Sequence, residues 1–134
     1  KIEMALRYLL DTDIIIWHLR GHEPTEALLQ AIEREQPLSC SALTIFEVWS
    51  GVRPREEEAT RRFLDTLYQI PTGGPIPLIA AEYWRNFRSQ GITLGRADAL
   101  VGATARALDL MLVTYNCDHY PMDDIALYDP MPSV

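Results

Sequence analysis

The sequence predicts an α/β fold, a three-layer arrangement with helices on both faces of a central, mostly parallel sheet of four to five strands. Three observations carry this. The apolar runs at 7–10, 38–40 and 111–115 have the length of buried strands. Between them lie segments with apolar residues at helical spacing, such as Ala27, Leu28, Ala31 and Ile32. Strands alternating with helices give a parallel sheet whose ligands sit at the carboxyl ends of the strands.

In chain order, residues 7–10 form a first strand. Asp13 then caps a helix through Ile14, Trp17 and Leu19, which Gly21 ends. A second helix spans 25–35 and is broken by Pro37, after which 38–40 forms a short strand. Ser41 is the better cap for a helix over 42–50 that stops at Gly51; Thr44 with Glu47 offers a capping box but leaves less than two turns. Residues 55–68 read as a charged helix with Phe63, Leu64, Leu67 and Tyr68 inward. The cluster Pro71-Thr72-Gly73-Gly74-Pro75 is a loop, too short to link domains. Helices follow over 79–90, closing at Gly91, and 97–108. The strand at 111–115 and a last one at 126–128 precede a proline-punctuated tail.

With 134 residues and 48% apolar content, the whole chain (1–134) is expected to form a single domain with a real core. Met4 reads as a natural start, with Lys1 to Glu3 upstream of it. No stretch approaches the roughly 18 to 20 apolar residues of a membrane span, and no signal segment opens the chain. Cys40 and Cys117 build neither a disulfide framework nor a zinc spacing, so a cytoplasmic location is expected. The formal net charge of −7 is awkward for a nucleic-acid enzyme. Acids gathered around a cation would not count as negative once it is bound. Eleven of the twelve basic residues are arginine, whose planar fork suits phosphate.

Chemistry concentrates in acids placed where strands or helices begin and end. Asp11 closes the run Tyr8-Leu9-Leu10; a capping role explains Asp13 better than it explains Asp11. Glu47 lies mid-helix beside Ile45, Val48, Trp49 and Val52 and needs a partner there. Asp98 stands in a first helical turn, favoured by the dipole, with small Gly102, Ala103 and Ala105 downstream to let the helix lie close to the sheet. Asn116 and Asp118 follow the strand at 111–115, where turn chemistry alone also explains them. His18, His22 and His119 share no ligand spacing, and the chain has neither a Gly-rich phosphate loop nor a nucleophile elbow. Carboxylates beside buried apolar segments are costly unless neutralised, and a divalent cation does that well.

Four segments carry a family resemblance: Tyr8-Leu9-Leu10-Asp11-Thr12-Asp13, Ser41-Ala42-Leu43-Thr44-Ile45-Phe46-Glu47-Val48, Ala97-Asp98-Ala99-Leu100-Val101-Gly102-Ala103-Thr104-Ala105, and Leu112-Val113-Thr114-Tyr115-Asn116. In this order and spacing the chain resembles the PIN-domain ribonucleases, specifically VapC-type toxins of toxin–antitoxin pairs. The resemblance implies a metal-dependent endoribonuclease. Asp11, Glu47 and Asp98 would be its acidic triad for magnesium or manganese, and Asn116 its fourth catalytic position. Asp118 is a nearby acid that could supplement the metal ligands. Asp13 departs from the Ser or Asn the family often shows there, adding charge at the rim. An RNA substrate, a VapB-type antitoxin bound across the site and a homodimer follow from the same resemblance. Tyr83, Trp84 and Phe87 are candidates for the dimer interface, with core packing an equal explanation. Arg85, Arg88 and Arg96, just before the Asp98 helix, are candidates for RNA backbone contacts.

Two other readings compete. Leu10-Asp11-Thr12-Asp13 also looks like the start of a haloacid-dehalogenase-like phosphatase with an aspartyl nucleophile. That chemistry needs a downstream lysine, and Lys1 is the only lysine. A non-catalytic PIN-like interaction module would have a broken acidic set, whereas all three core acids are present.

Overall fold

Among the described residues five short strands, each three residues long, carry the layer on which the rest is built: β1 (Tyr8–Leu10), β2 (Ser39–Ser41), β3 (Tyr68–Ile70), β4 (Met111–Val113) and β5 (Ala126–Tyr128). The computed structural model describes residues 6–130; the expected start at Met4, with Lys1 to Glu3 before it, lies outside the described residues. Every ladder is parallel, β1-β4-β5 in one sheet and β2-β3 in another. β2 lies beside β1 and is joined to it by side chains. The Ser39 hydroxyl donates to the Tyr8 carbonyl at 2.6 Å, and the buried Gln36 amide oxygen accepts from the Arg7 N–H at 2.7 Å. The two sheets thus continue one another, reading β3-β2-β1-β4-β5 across, in keeping with the four to five parallel strands expected.

Six helices flank the strands among the described residues: α1 (Thr12–Leu19), α2 (Glu23–Glu33), α3 (Ala42–Ser50), α4 (Glu57–Leu64), α5 (Ile76–Ser89) and α6 (Arg96–Leu108). Strand alternation sorts the core into two layers. Leu9 and Leu112 point to one face, where Ile76, Ala80 and Tyr83 of α5 and Ala99, Val101, Ala103 and Ala105 of α6 cover them. Leu10 and Val113 point to the other face, under Ile14 and Ile15 of α1, Leu29 and Ile32 of α2, Val48 of α3 and Leu64 of α4. Because both faces are covered, these strands are apolar on both sides rather than alternating. No helix among the described residues is long and apolar enough to cross a membrane.

Two expectations need correction. The helix expected over 55–68 is a 3-10 turn (Pro54–Glu56) followed by α4, which ends at Leu64. The Thr66 hydroxyl bonds back to the Phe63 carbonyl at 2.7 Å, and the chain leaves the helix to form β3. Tyr68, expected inward, is 55% exposed on that edge strand, its N–H donating to the Leu38 carbonyl at 2.8 Å. The spacing of Phe63, Leu64 and Leu67 suits a helix, but three residues of pairing with β2 bury Ile70 instead. The second correction concerns the start of α1. Asp11, not Asp13, is its N-cap, with Oδ1 accepting from the Thr12 N–H at 2.8 Å. The expected caps at the other ends hold. Ser41 caps α3 by accepting from the Leu43 N–H, and Gly21 follows α1 with φ of +81°, a conformation that favours glycine.

Candidate metal centre

The acids converge at the carboxyl ends of β1 and β4. Asp11 continues β1 by one residue, and its N–H still pairs with the Val113 carbonyl at 3.0 Å. Extending the Leu10–Val113 register by one step sets Asp11 opposite Thr114. The Thr114 hydroxyl donates to Asp11 Oδ2 at 2.9 Å, and the Tyr120 phenol donates to the same oxygen at 2.9 Å. With the Thr12 N–H on Oδ1, this buried carboxylate accepts three bonds and is held in one orientation.

Asp98 reaches the same place from the first turn of α6. Its Oδ1 lies 3.4 Å from the Tyr120 hydroxyl, so this one phenol stands between Asp11 and Asp98. His119 Nδ1 is 3.7 Å from the other Asp98 oxygen. Gly95 clears room beside it: a Cβ there would sit 3.1 Å from Asp98 Oδ2. The Asp98 carboxyl is pushed above the usual carboxylate range, first by burial and then by the charge of Asp11, with Glu47 adding to it. Burial and the same two aspartates push the Tyr120 phenol up as well, so it stays protonated and donates.

Glu47 projects from the middle of α3 and accepts from the Thr12 hydroxyl at 2.6 Å, the partner its half-buried position calls for. Asp13, released from capping, faces β4's end instead. Its Oδ2 accepts from the Tyr115 N–H and from the Asn116 side-chain amide, both at 2.9 Å. Its Oδ1 is buried with no partner. Burial and then Asp11 push the Asp13 carboxyl up to about 6, against the pull of these hydrogen bonds. Asn116 is therefore tied to Asp13, and its N–H rests on the Thr114 hydroxyl at 3.0 Å. Asp118 is exposed in the 3-10 turn Cys117–His119 and makes no hydrogen bond to the other acids.

Tyr120, Thr114 and Thr12 are the site residues that sequence reasoning passed over. Parallel register could have found Thr114. Nothing local marks Tyr120, which arrives from an irregular segment.

The donors suit a hard divalent cation: three carboxylates that feel one another's charge, neutral hydroxyl and amide oxygens, and one buried carboxylate oxygen left bare. Among the described residues no three acidic, imidazole or thiol side chains group as a ready cage, and Glu47 is bonded to Thr12.

The other candidates sit farther out. Arg88 and Arg96 both stack on Trp84, their guanidinium carbons 4.9 and 5.3 Å from the ring centroid. Arg85 is exposed and joins neither that ring nor an ion pair among the described residues. Tyr83 is buried in the core with its hydroxyl donating to Asp124, and Phe87 is half-buried against the same core.

Known proteins match this arrangement over most of its length. The PIN domain family matches residues 8–125. The chain belongs to the PIN-domain family. Among PIN-domain relatives, it is similar to Ribonuclease VapC10 of Mycobacterium tuberculosis, 32% identical over 114 residues, covering 85% of this chain and 86% of that protein. It is similar also to Ribonuclease VapC19 of the same organism, 35% identical over 116 residues, covering 85% and 92%. A toxin–antitoxin complex from Klebsiella pneumoniae shares the PIN fold with a TM-score of 0.74, at 27% identity over 92% of this chain and 98% of that one.

Proposed function

We propose that this PIN domain is the toxin of a toxin–antitoxin pair, a cytoplasmic endoribonuclease that hydrolyses RNA phosphodiester bonds with magnesium or manganese. The observation that carries this reading is the Tyr120 hydroxyl lying within 2.9 Å of Asp11 and 3.4 Å of Asp98, which brings acids 87 residues apart in sequence into one pocket. The names of the curated relatives support the ribonuclease part.

Asp11, Asp98 and Glu47 would hold the ion, whose bound form supplies an acidified water and polarises the scissile phosphate. Around it, the chain's own residues have distinct tasks. Thr12 N–H, Thr114 and Tyr120 fix the Asp11 carboxylate. Asp98, its pKa raised, ionises more readily when a cation replaces repulsion with attraction. The Thr12 hydroxyl orients the Glu47 carboxylate. Asn116 and the Tyr115 N–H fix Asp13 at the rim. No Ser, Cys or Lys nucleophile is required.

The aspartyl-nucleophile alternative gains nothing from this geometry, because no lysine lies among the described residues to steady a phosphoaspartate at Asp11. A panel of structured RNAs incubated with manganese tests the enzyme reading. Asp11→Asn is expected to cut about two to three orders of magnitude more slowly than wild type. Equal cutting by both proteins leaves the reading without support.

The Klebsiella toxin–antitoxin complex supports an antitoxin as partner, which the family resemblance makes one of the VapB type. Beside Glu47, α3 exposes Phe46 (67%) and Trp49 (37%) along an open groove completed by Ile45 and Leu64. An antitoxin segment seated there would lie along α3 beside the site, on a groove that none of the site's acids lines. Loss of co-purified antitoxin on Phe46→Arg checks that placement, and sedimentation checks the homodimer implied by the family.

A further inference from the structure

We infer that Arg88, Trp84 and Arg96 form a preassembled phosphate clamp, with Trp84 as the positioning residue that holds both guanidiniums ready for the RNA backbone. This rests on the ribonuclease reading and adds to it a second contact, on a phosphate flanking the one that is cut.

Trp84 and Arg88 are one helical turn apart on α5, which lays the Arg88 guanidinium over the indole at 4.9 Å. Arg96 comes from a different element, the first residue of α6, and reaches the same ring at 5.3 Å. Two cations brought to one ring repel each other, and neither has a carboxylate partner among the described residues. Arg7, Arg61, Arg62 and Arg106 all do. Arg20, Arg34, Arg53, Arg55 and Arg85 have none either, so the shared ring, rather than the missing partner, sets Arg88 and Arg96 apart. Arg96 is also placed against the helix dipole, since a cation is disfavoured at the first turn of a helix. The indole's negative face offsets part of this repulsion. An anion bridging both forks would remove the rest, and planar forks suit phosphate oxygens.

The location fits a flanking phosphate and not the scissile one. Arg96 and Asp98 are two residues apart in α6, so they leave the helix about 200° apart around its axis. Asp98 faces Tyr120 and the strand ends, while Arg96 faces α5. Arg85 does not take part, having no contact with the ring.

The test is equilibrium binding of a fluorescein-labelled hairpin RNA with single-stranded flanks to the full chain. It is followed by anisotropy in EDTA across a potassium chloride series. Arg88→Gln with Arg96→Gln is expected to weaken binding at low salt. The plot of log Kd against log salt should flatten by about 0.7 for each phosphate no longer neutralised. Trp84→Leu keeps both charges and is expected to raise Kd about three- to tenfold, with Trp84→Phe restoring most of it. In the double-glutamine background, Trp84→Leu should add nothing further, which a merely structural tryptophan would not show. Unchanged affinity and slope in the double-glutamine variant overturn the clamp, including the case in which the arginines serve an acidic protein segment. A Trp84→Leu protein that is folded by circular dichroism and binds like wild type overturns the positioning role. Wild type that binds with this slope but never cuts with manganese would sink the ribonuclease reading and leave the clamp standing.

Discussion

Asp11 does two things with one carboxylate: it caps α1 through the Thr12 N–H and presents its other oxygen to Thr114, Tyr120 and the pocket. That double duty explains why Asp13 is free to turn toward β4. Legibility at this scale was uneven. Asp11 stands out as an acid that capping does not explain, whereas Glu47 and Asp98 also have local explanations in a capping box and the helix dipole. The fold brings Asp11 and Asp98 onto one phenol and Glu47 onto the neighbouring Thr12. Asp13 was misread as a cap because capping propensity does not distinguish two aspartates two residues apart, and tertiary bonds to Tyr115 and Asn116 decide between them. The raised carboxyl of Asp13 has a measurable consequence. Its pKa is about 6 when folded and near 3.8 as an ordinary aspartate, so the folded state holds the proton more tightly. Its contribution to stability is therefore full below about 3.8 and is lost as pH rises through about 6. Asp98 shifts in the same direction. In EDTA, urea midpoints of the wild type should fall across that window relative to Asp13→Asn. A parallel pH dependence in the two proteins would contradict the raising of this carboxyl by burial and by Asp11.

Among the elements, α6 carries the closest packing. Small residues at 102, 103 and 105 suggested a helix lying tight against the sheet. Ala103 and Ala105 do so, each almost fully buried. Gly102 serves a different neighbour, since a Cβ there would meet the Met122 methyl at 2.8 Å and the Tyr120 ring at 3.7 Å. The helix was legible from spacing; its contact with the segment at 120–122 was not, because that segment has no periodicity to read. Gly102→Ala trades about 1 kcal/mol of helix propensity against displacing the flexible end of Met122, so its stability should lie close to wild type. Gly102→Val presses on the Tyr120 ring as well and should cost about 1–3 kcal/mol by urea denaturation. It should also cut RNA cleavage more than Gly102→Ala does. Equal activity in the two variants would show that Tyr120 does not need its present position. β3 was the element the sequence hid: three residues with two side chains exposed give no alternating pattern, and the preceding helical spacing absorbs them.

For the molecule as a whole, the α/β/α layering followed from apolar strands too short to be anything but doubly covered, and from the connections between them. Parallel order then does the functional work, because it sends the ends of β1 and β4 to the same edge and α6 down onto them. Sequence reading could not give the side-chain rotamers that decide whether the acids close on an ion, since those depend on bonds such as Thr12 to Glu47 formed only after folding. The site gathers carboxylates of like charge, with Oδ1 of neighbouring Asp13 buried and without a partner among the described residues. Binding a cation should thus raise the stability of the whole fold with the logarithm of its concentration above Kd. The most direct test is a crystal of the full chain soaked in manganese and measured at the metal's absorption edge. An anomalous peak bounded by Asp11 and Asp98 oxygens, at about 2.0 to 2.2 Å, is the predicted result. A map with no peak between those two carboxylates at saturating manganese would contradict it.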